Sequence, residues 1–241
     1  MIVRAGRLIM TYLMWHETAV EIPMAPAHDE SMTYATYREA MGAGHDAAKR
    51  NEHARAQVAF EAAMPLAEDD IETAEAFHFV AWMLMQQDRH ADARERLAKL
   101  LELPHIGERE RAGAYHLTAH ALINDGKGSE AGEWFAKIVA LEDPGAALLS
   151  GAHVALGYEL SAKGQYGEAR KAFAACMAVE GGPPASKASA AFHTAKTWFE
   201  EKKYAEAKAQ LQAFNNMAGA YPNEKKEAET LLERIELRLK K

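Results

Sequence analysis

One local pattern recurs five times along this chain, and it leaves few folds open. A small residue is followed four positions on by a larger apolar one, and three further by another apolar residue. The five copies are Ala56-x3-Phe60-x2-Ala63, Ala93-x3-Leu97-x2-Leu100, Ala131-x3-Phe135-x2-Ile138, Ala169-x3-Phe173-x2-Cys176 and Ala207-x3-Leu211-x2-Phe214. Their leading alanines, Ala56, Ala93, Ala131, Ala169 and Ala207, follow one another at a near-constant interval. Steps of four and three put all three side chains on one face of a helix. Twelve residues before each alanine lies a second small residue: Gly44, Ala81, Ala119, Gly157 or Ala195. Three residues after that comes Ala47, Leu84, Leu122, Leu160 or Trp198. Each period therefore spells two amphipathic helices. The small residue lets the helices approach closely, and the large one fills the space beside it. The turns between them are polar: Gln87-Asp88-Arg89, Asp125-Gly126-Lys127-Gly128, Lys163-Gly164-Gln165 and Glu201-Lys202-Lys203. A unit of this size cannot bury its apolar face alone, so the copies must stack.

Proline and composition agree with a repeat array. Beyond Pro23 and Pro26 the prolines fall at Pro65, Pro104, Pro144, Pro183, Pro184 and Pro222, a punctuation at nearly the same interval as the alanines. The chain has 241 residues, 49% hydrophobic and 26% charged, which is ordinary globular usage. Fifty are alanine and β-branched residues are scarce, so an all-β fold is excluded. The formal net charge of −7 comes with no basic stripe, against a nucleic-acid partner. No apolar run is long enough to span a bilayer, so no membrane partner is expected. Cys176 is the only cysteine. It excludes a disulfide framework and is read as a small buried hydrophobe.

The spacing resembles the tetratricopeptide repeat family, whose pattern is W-x2-L-G-x2-Y, then A-x3-F, then proline. The fourth copy matches best: Leu156-Gly157-x2-Leu160, then Gly164-x-Tyr166-x2-Ala169-x3-Phe173. The third ends Leu141-Glu142-Asp143-Pro144, and the fifth has Lys202-x-Tyr204-x2-Ala207. The resemblance covers about residues 37–221. It implies an all-α right-handed superhelix of antiparallel helix pairs, an α-solenoid. The interval in this chain exceeds the family period. The excess falls before the small residue of each repeat, so the first helix of each pair is expected to be about one turn longer. Asp143 is expected to cap such a helix with Pro144 in its first turn, and Ser186 to cap the equivalent one.

The ends depart from the pattern. Residues 222–241 read as a capping helix, capped by Asn223, with Ala228, Leu231, Leu232, Ile235 and Leu239 on one apolar stripe. Residues 1–33 form an arm with Arg4, Arg7 and an apolar stretch from Leu8 to Trp15. That is a faint echo of a secretory signal, which His16, Glu17 and Glu21 weaken. A disordered tail, a docking strand or helix, or a start placed too early, with Met10, Met14, Met24 and Met32 as alternatives, stay open. Residues 34–221 hold the five repeats.

No catalytic motif stands out: there is no P-loop, G-x-G-x-x-G, H-E-x-x-H or G-x-S-x-G. No cofactor is expected. In the family resembled, first helices line a concave groove from positions flanking the small residue. Those positions hold Arg38, Met41, His45 and Lys49, then Glu75, His78, Trp82, Met85 and Gln86. They continue with His116, His120, Ile123 and Asn124, then Val154, Tyr158 and Ser161, and end with Phe192, Lys196 and Phe199. Trp82, Met85, Tyr158, Phe192 and Phe199 are expected as exposed apolar anchors. The carboxylate clamp of some family members is not supported, because Met41 and His45 occupy its first-repeat positions. The expected function is a non-enzymatic scaffold binding a peptide or protein. Self-assembly through the arm or the end faces is one alternative. A metal-binding or enzymatic protein using His45, His78, His116 and His120 is the other, since His116 and His120 are four apart on one helix. One cysteine favours the cytoplasm, with the periplasm open if the arm is a signal, and the alanine-rich composition suits a bacterial protein.

Overall fold

The computed structural model describes residues 33–240, so the expectations for the N-terminal arm lie outside the described residues. The described residues form eleven α-helices and no strand, the first ten in five pairs: α1 (Tyr37–Lys49), α2 (His53–Ala63), α3 (Asp70–Gln86), α4 (His90–Leu101), α5 (Glu108–Asn124) and α6 (Gly128–Val139) come first. Then follow α7 (Ala146–Ala162), α8 (Tyr166–Ala178), α9 (Pro184–Glu200), α10 (Tyr204–Asn215) and α11 (Pro222–Leu239). First helices α3, α5, α7 and α9 are each 17 residues long, whereas the second helices have 11 to 13. The added length read from the spacing therefore sits in these four first helices, while α1, with 13 residues, lacks it.

The chain divides into two compact units. The first holds the described residues up to His105 together with His120–Lys127. In it α1 pairs with α2, α3 with α4, and α2 also packs on α3. The second holds Ile106–Ala119 and the chain from Gly128 onward. In it α6 packs on α7, α7 on α8, α8 on α9, α9 on α10, and α11 rests on both α9 and α10.

Small-large pairing builds both cores. In the first unit Gly44 lies against the ring of Phe60, where a Cβ would come within 2.6 Å of Cδ1. In the second, Gly157 lies the same way against Phe173. Ala195 and Leu211 take those places between α9 and α10. Phe60, Phe173 and Leu211 are fully buried. Each such side chain contributes about 1.5–3 kcal/mol of hydrophobic stabilisation.

Every pair turns the same way. Asn51, Asp88, Gly126, Gly164 and Lys202 all have positive φ, between 58° and 76°. The next residue's N–H reaches back to the helix: Glu52 to the Ala47 carbonyl, Arg89 to Leu84, Lys127 to Leu122, Gln165 to Leu160 and Lys203 to Trp198, at 2.8–3.0 Å. This six-to-one bond around a left-handed residue is the Schellman closure. The acceptors are the residues that recur three places after the small one, so one position serves both packing and turn.

The helix starts depart from expectation. Thr36 caps α1, with Glu39 bonding back to Ala35, and Asp69 caps α3, with Glu72 bonding back to Glu68. Asp143 does not cap α7. Gly145, at φ 82°, turns the chain into a helix that begins at Ala146. Asp143 instead receives the Arg109 guanidinium at 2.9 Å. Ser186 is the third residue of α9, whose first residue is Pro184, and Asn223 is the second of α11, whose first is Pro222. In both, proline supplies the preset φ of the first turn and its missing N–H costs nothing there.

Helix α11 follows α9 at the repeat interval, with Pro222 standing where Pro184 stands one period earlier. Its buried Ala228, Leu231 and Ile235 join the α9–α10 core. They correspond in register to Ala190, His193 and Thr197, and Ala190 belongs to the core cluster of α7 and α8. Leu239, expected on the buried stripe, is 50% exposed. It lies one turn past Ile235, the last buried residue of the helix.

Candidate functional site

In the first unit the candidate face comes from α1, α3 and the end of α5. Arg38, Lys49, Glu75, Gln86 and Asn124 are exposed on it. His45, His78 and Trp82 are partly buried. Glu75 accepts a 2.9 Å hydrogen bond from the Tyr37 hydroxyl, which also donates to the Glu72 carbonyl. Burial, and then Glu75, hold the Tyr37 hydroxyl protonated far above its ordinary range. Lys49 is spent on Asp46 at 3.5 Å. His45 sets its edge against Phe60 and Phe79, at centroid distances of 5.2 and 4.5 Å, and those two rings stack on each other. Burial pushes His78 down to about 4, so it is neutral at physiological pH. Trp82 stands apart from this cluster. Its indole has no hydrogen-bond or ring partner among the described residues.

Three expected groove residues of this unit are not on the surface. Met41 and Met85 are 5% and 3% exposed, and His120 is 6% exposed. First helices in the array are flanked by a second helix and by neighbouring first helices. Positions on either edge of the nominal groove therefore roll into helix–helix contacts, where flexible methionine fills gaps. His120 sits in a helix whose Ala112, Ala114, Ala119 and Ala121 are also buried, and burial pushes it down to about 4.

In the second unit the corresponding residues are tied to one another. The Tyr158 hydroxyl of α7 meets Ser189 Oγ of α9 at 3.1 Å. Ser189 in turn donates to Glu224 Oε1 of α11. Lys196 of α9 pairs with Glu227 of α11 at 2.7 Å. Phe199 lies under the Arg234 guanidinium, 4.8 Å from the ring centroid. Phe192 is a correction: it is fully buried and packs on Phe214 at 5.3 Å in the α9–α10 core. His116 is partly buried with its ring against Phe135.

Ser189, His193, Glu224 and Glu227 belong to no motif in the sequence and are not among the expected face residues. His193 takes a register position that holds Gly42, Phe79, Leu117 and Ala155 in the other repeats. A histidine among those residues was the available signal. Its ring packs on Tyr158 at 4.3 Å, and burial, then Lys196, push it down to about 3. Burial holds Tyr158 protonated.

Among the described residues, no three His, Cys, Asp or Glu side chains gather at metal-ligand spacing. Cys176 is buried, its thiol pushed up to about 11 by burial and directed at the Ser186 carbonyl. No described helix is long and apolar enough to cross a membrane.

No protein-family model matches the chain, and no curated protein matches it. Solved structures do. The apo form of RapI superposes with a TM-score of 0.64 at 17% identity, over 74% of this chain and 52% of RapI, so the chain spans about half of that protein. PilF from Pseudomonas aeruginosa matches at 0.60 and 16% identity, over 85% of this chain and 90% of PilF. YrrB, a tetratricopeptide protein with an unusual peptide-binding site, matches at 0.52 and 18% identity, over 73% of this chain and 83% of YrrB. Together with the paired helices and their recurring turn, these matches show the class: the chain is an all-α solenoid with the tetratricopeptide-repeat fold.

Proposed function

We propose that this protein is a non-enzymatic interaction module that holds a peptide or protein partner against its first helices, with Trp82 as the anchor. The observation that carries this is the Trp82 indole, which is partly exposed and without a polar or ring partner among the described residues. Tryptophan is among the residues most enriched at binding hot spots. Glu75, one side of it on α3, and Gln86, on the other, are exposed polar groups at helical spacing, suited to orient what Trp82 holds. The peptide-binding site of YrrB gives the reading a precedent on the same fold. We place the protein in the cytoplasm, because a lone buried thiol suits a reducing compartment.

The test is capture by immobilised full-length protein, by Trp82→Ala, and by Trp134→Ala. Trp134 lies on second helix α6, under the Lys137 ammonium at 3.7 Å. The proposal expects the captured partner to be lost with Trp82→Ala and kept with Trp134→Ala, at unchanged helical circular dichroism. Equal capture by all three proteins sinks it.

A further inference from the structure

The terminal helix is seated on a carboxyl group that the packing leaves poorly compensated. Glu224 is the third residue of α11 and is 6% exposed. Its Oε1 accepts from Ser189, and its Oε2 is buried with no hydrogen-bond partner. The groups facing it come from three helices. Tyr158 of α7 is bonded to Ser189 and stays protonated. From α9, His193 Nε2 lies 3.9 Å from Oε1, and Lys196 is already paired with Glu227 of α11. Burial keeps the His193 ring neutral. An ionised Glu224 therefore has one neutral hydroxyl donor and no cation of its own, with the Glu227 carboxylate one turn away. Burying a charge without a partner costs far more than burying the same group neutral. Burial, reinforced by Glu227, raises this carboxyl above its ordinary range, against the opposing pull of Ser189 and Lys196.

We propose that ionisation of Glu224 loosens the seat of α11 on α9, so that this helix is a pH-sensitive end of the array. The helix is held most firmly when the carboxyl is protonated. The sign follows from linkage: a carboxyl raised in the folded state contributes fully below its unfolded value of 4.5. That contribution is lost as pH rises through its folded value. Loosening uncovers the apolar α9–α10 surface that Ala228, Leu231 and Ile235 cover.

The test is amide hydrogen exchange of α11 in the full-length protein, as protection factors at about pH 5 and about pH 8. Native protein, Glu224→Gln and Glu229→Gln are compared. Glu229 is an exposed carboxylate on the same helix. The unfolded-state titration of His193 is common to all three proteins and cancels from their ratios, and its folded ring, at about 3, is neutral at both pH values. At about pH 8 Glu224→Gln should raise α11 protection about tenfold for each unit by which the native carboxyl is raised. That advantage should shrink near pH 5, where part of the native carboxyl is protonated. Glu229→Gln should change neither value. Ser189→Ala, which removes the donor to Oε1, should weaken native protection more at high pH than at low. A Glu224→Gln advantage equal at both pH values, or matched by Glu229→Gln, overturns the proposal, as does a Ser189→Ala loss independent of pH.

Discussion

Gly157→Ala is the substitution on which helix propensity and packing disagree most sharply. Glycine inside a helix costs about 1 kcal/mol relative to alanine, so propensity alone makes the change stabilising. The structure says otherwise. A Cβ at position 157 would lie 2.6 Å from Phe173 Cδ1 and 2.7 Å from Cζ. Carbon atoms rest at about 3.5–4.0 Å, so the ring would have to retreat by roughly 1 Å. Phe173 is fully buried in a cluster with Val154, Ala169, Cys176 and Ala190, and its ring also meets those of Tyr158 and His193. Overpacking of that kind costs about 1–3 kcal/mol. We expect a net destabilisation of about 1 kcal/mol, read as a lower urea midpoint by circular dichroism. Phe173→Leu alone should cost about 1–2 kcal/mol through the cavity it leaves. The double variant reproduces a pairing this chain already uses, Ala81 with Leu97 and Ala195 with Leu211, all buried. It should therefore be more stable than the sum of the singles predicts, by at least about 1 kcal/mol of coupling. A neutral or stabilising Gly157→Ala, or strict additivity, would refute the small-large argument.

The turns supply a second set of expectations. Lys202 holds φ 62° without being glycine, so Lys202→Gly should stabilise by about 0.5–1 kcal/mol, while Gly164→Ala, at φ 73°, should destabilise by about 1 kcal/mol; chemical denaturation checks both. Arg170 stacks 3.6 Å from the Trp198 ring centroid, donates to Thr197 and pairs with Glu201 at 3.0 Å. Arg170→Ala should lower stability by about 1–2 kcal/mol, and Arg170→Lys should recover little of it, because an ammonium cannot stack and fork at once. Acid should weaken the global fold. His78, His120 and His193 are held neutral at about 4, 4 and 3, against 6.5 when free. Stability from these groups is complete above 6.5 and is lost progressively as pH falls toward those values, so the melting temperature should drop between about pH 7 and pH 4. Thermal melts in which His193→Leu shows the same slope as native would contradict this.

What could be read from residues alone was whatever the apolar period controls. The pairs Gly44–Phe60 and Gly157–Phe173 were visible because a helix brings offsets of three and four to one face whatever surrounds it. The lengthened first helices followed from counting. Their caps did not, because Asp143-Pro144 is an equally good signal for a loop. Only the left-handed Gly145 after it decides where the helix begins. The face residues were legible as a register but not as a surface. Position in a repeat fixes which neighbour a side chain points toward, and the size of that neighbour decides whether water still reaches it. Trp82 stays accessible at the place where His120 is buried, although both follow the small residue directly. Glu224 was illegible for the same reason. An acidic residue in the first turn is ordinary at a helix N-terminus, and its burial depends on Ser189 and His193 arriving from another helix.

The same register explains why α11 can resemble a repeat on one side only. Its inward residues Ala228, Leu231 and Ile235 repeat the pattern by which α9 rests on its predecessor. On α9 the opposite side carries Ala188, Ala191 and Ala195, which receive α10. One period later those places hold Lys226, Glu229 and Glu233, all exposed. A second helix laid there would bury three charged groups in place of the small residues that allow close approach, and the desolvation penalty would exceed what its apolar face returns. We therefore propose that α11 caps the array: three substitutions at small-residue positions turn a receiving face into a solvated one. They leave the inward face, and its weak point at Glu224, to hold the helix in place.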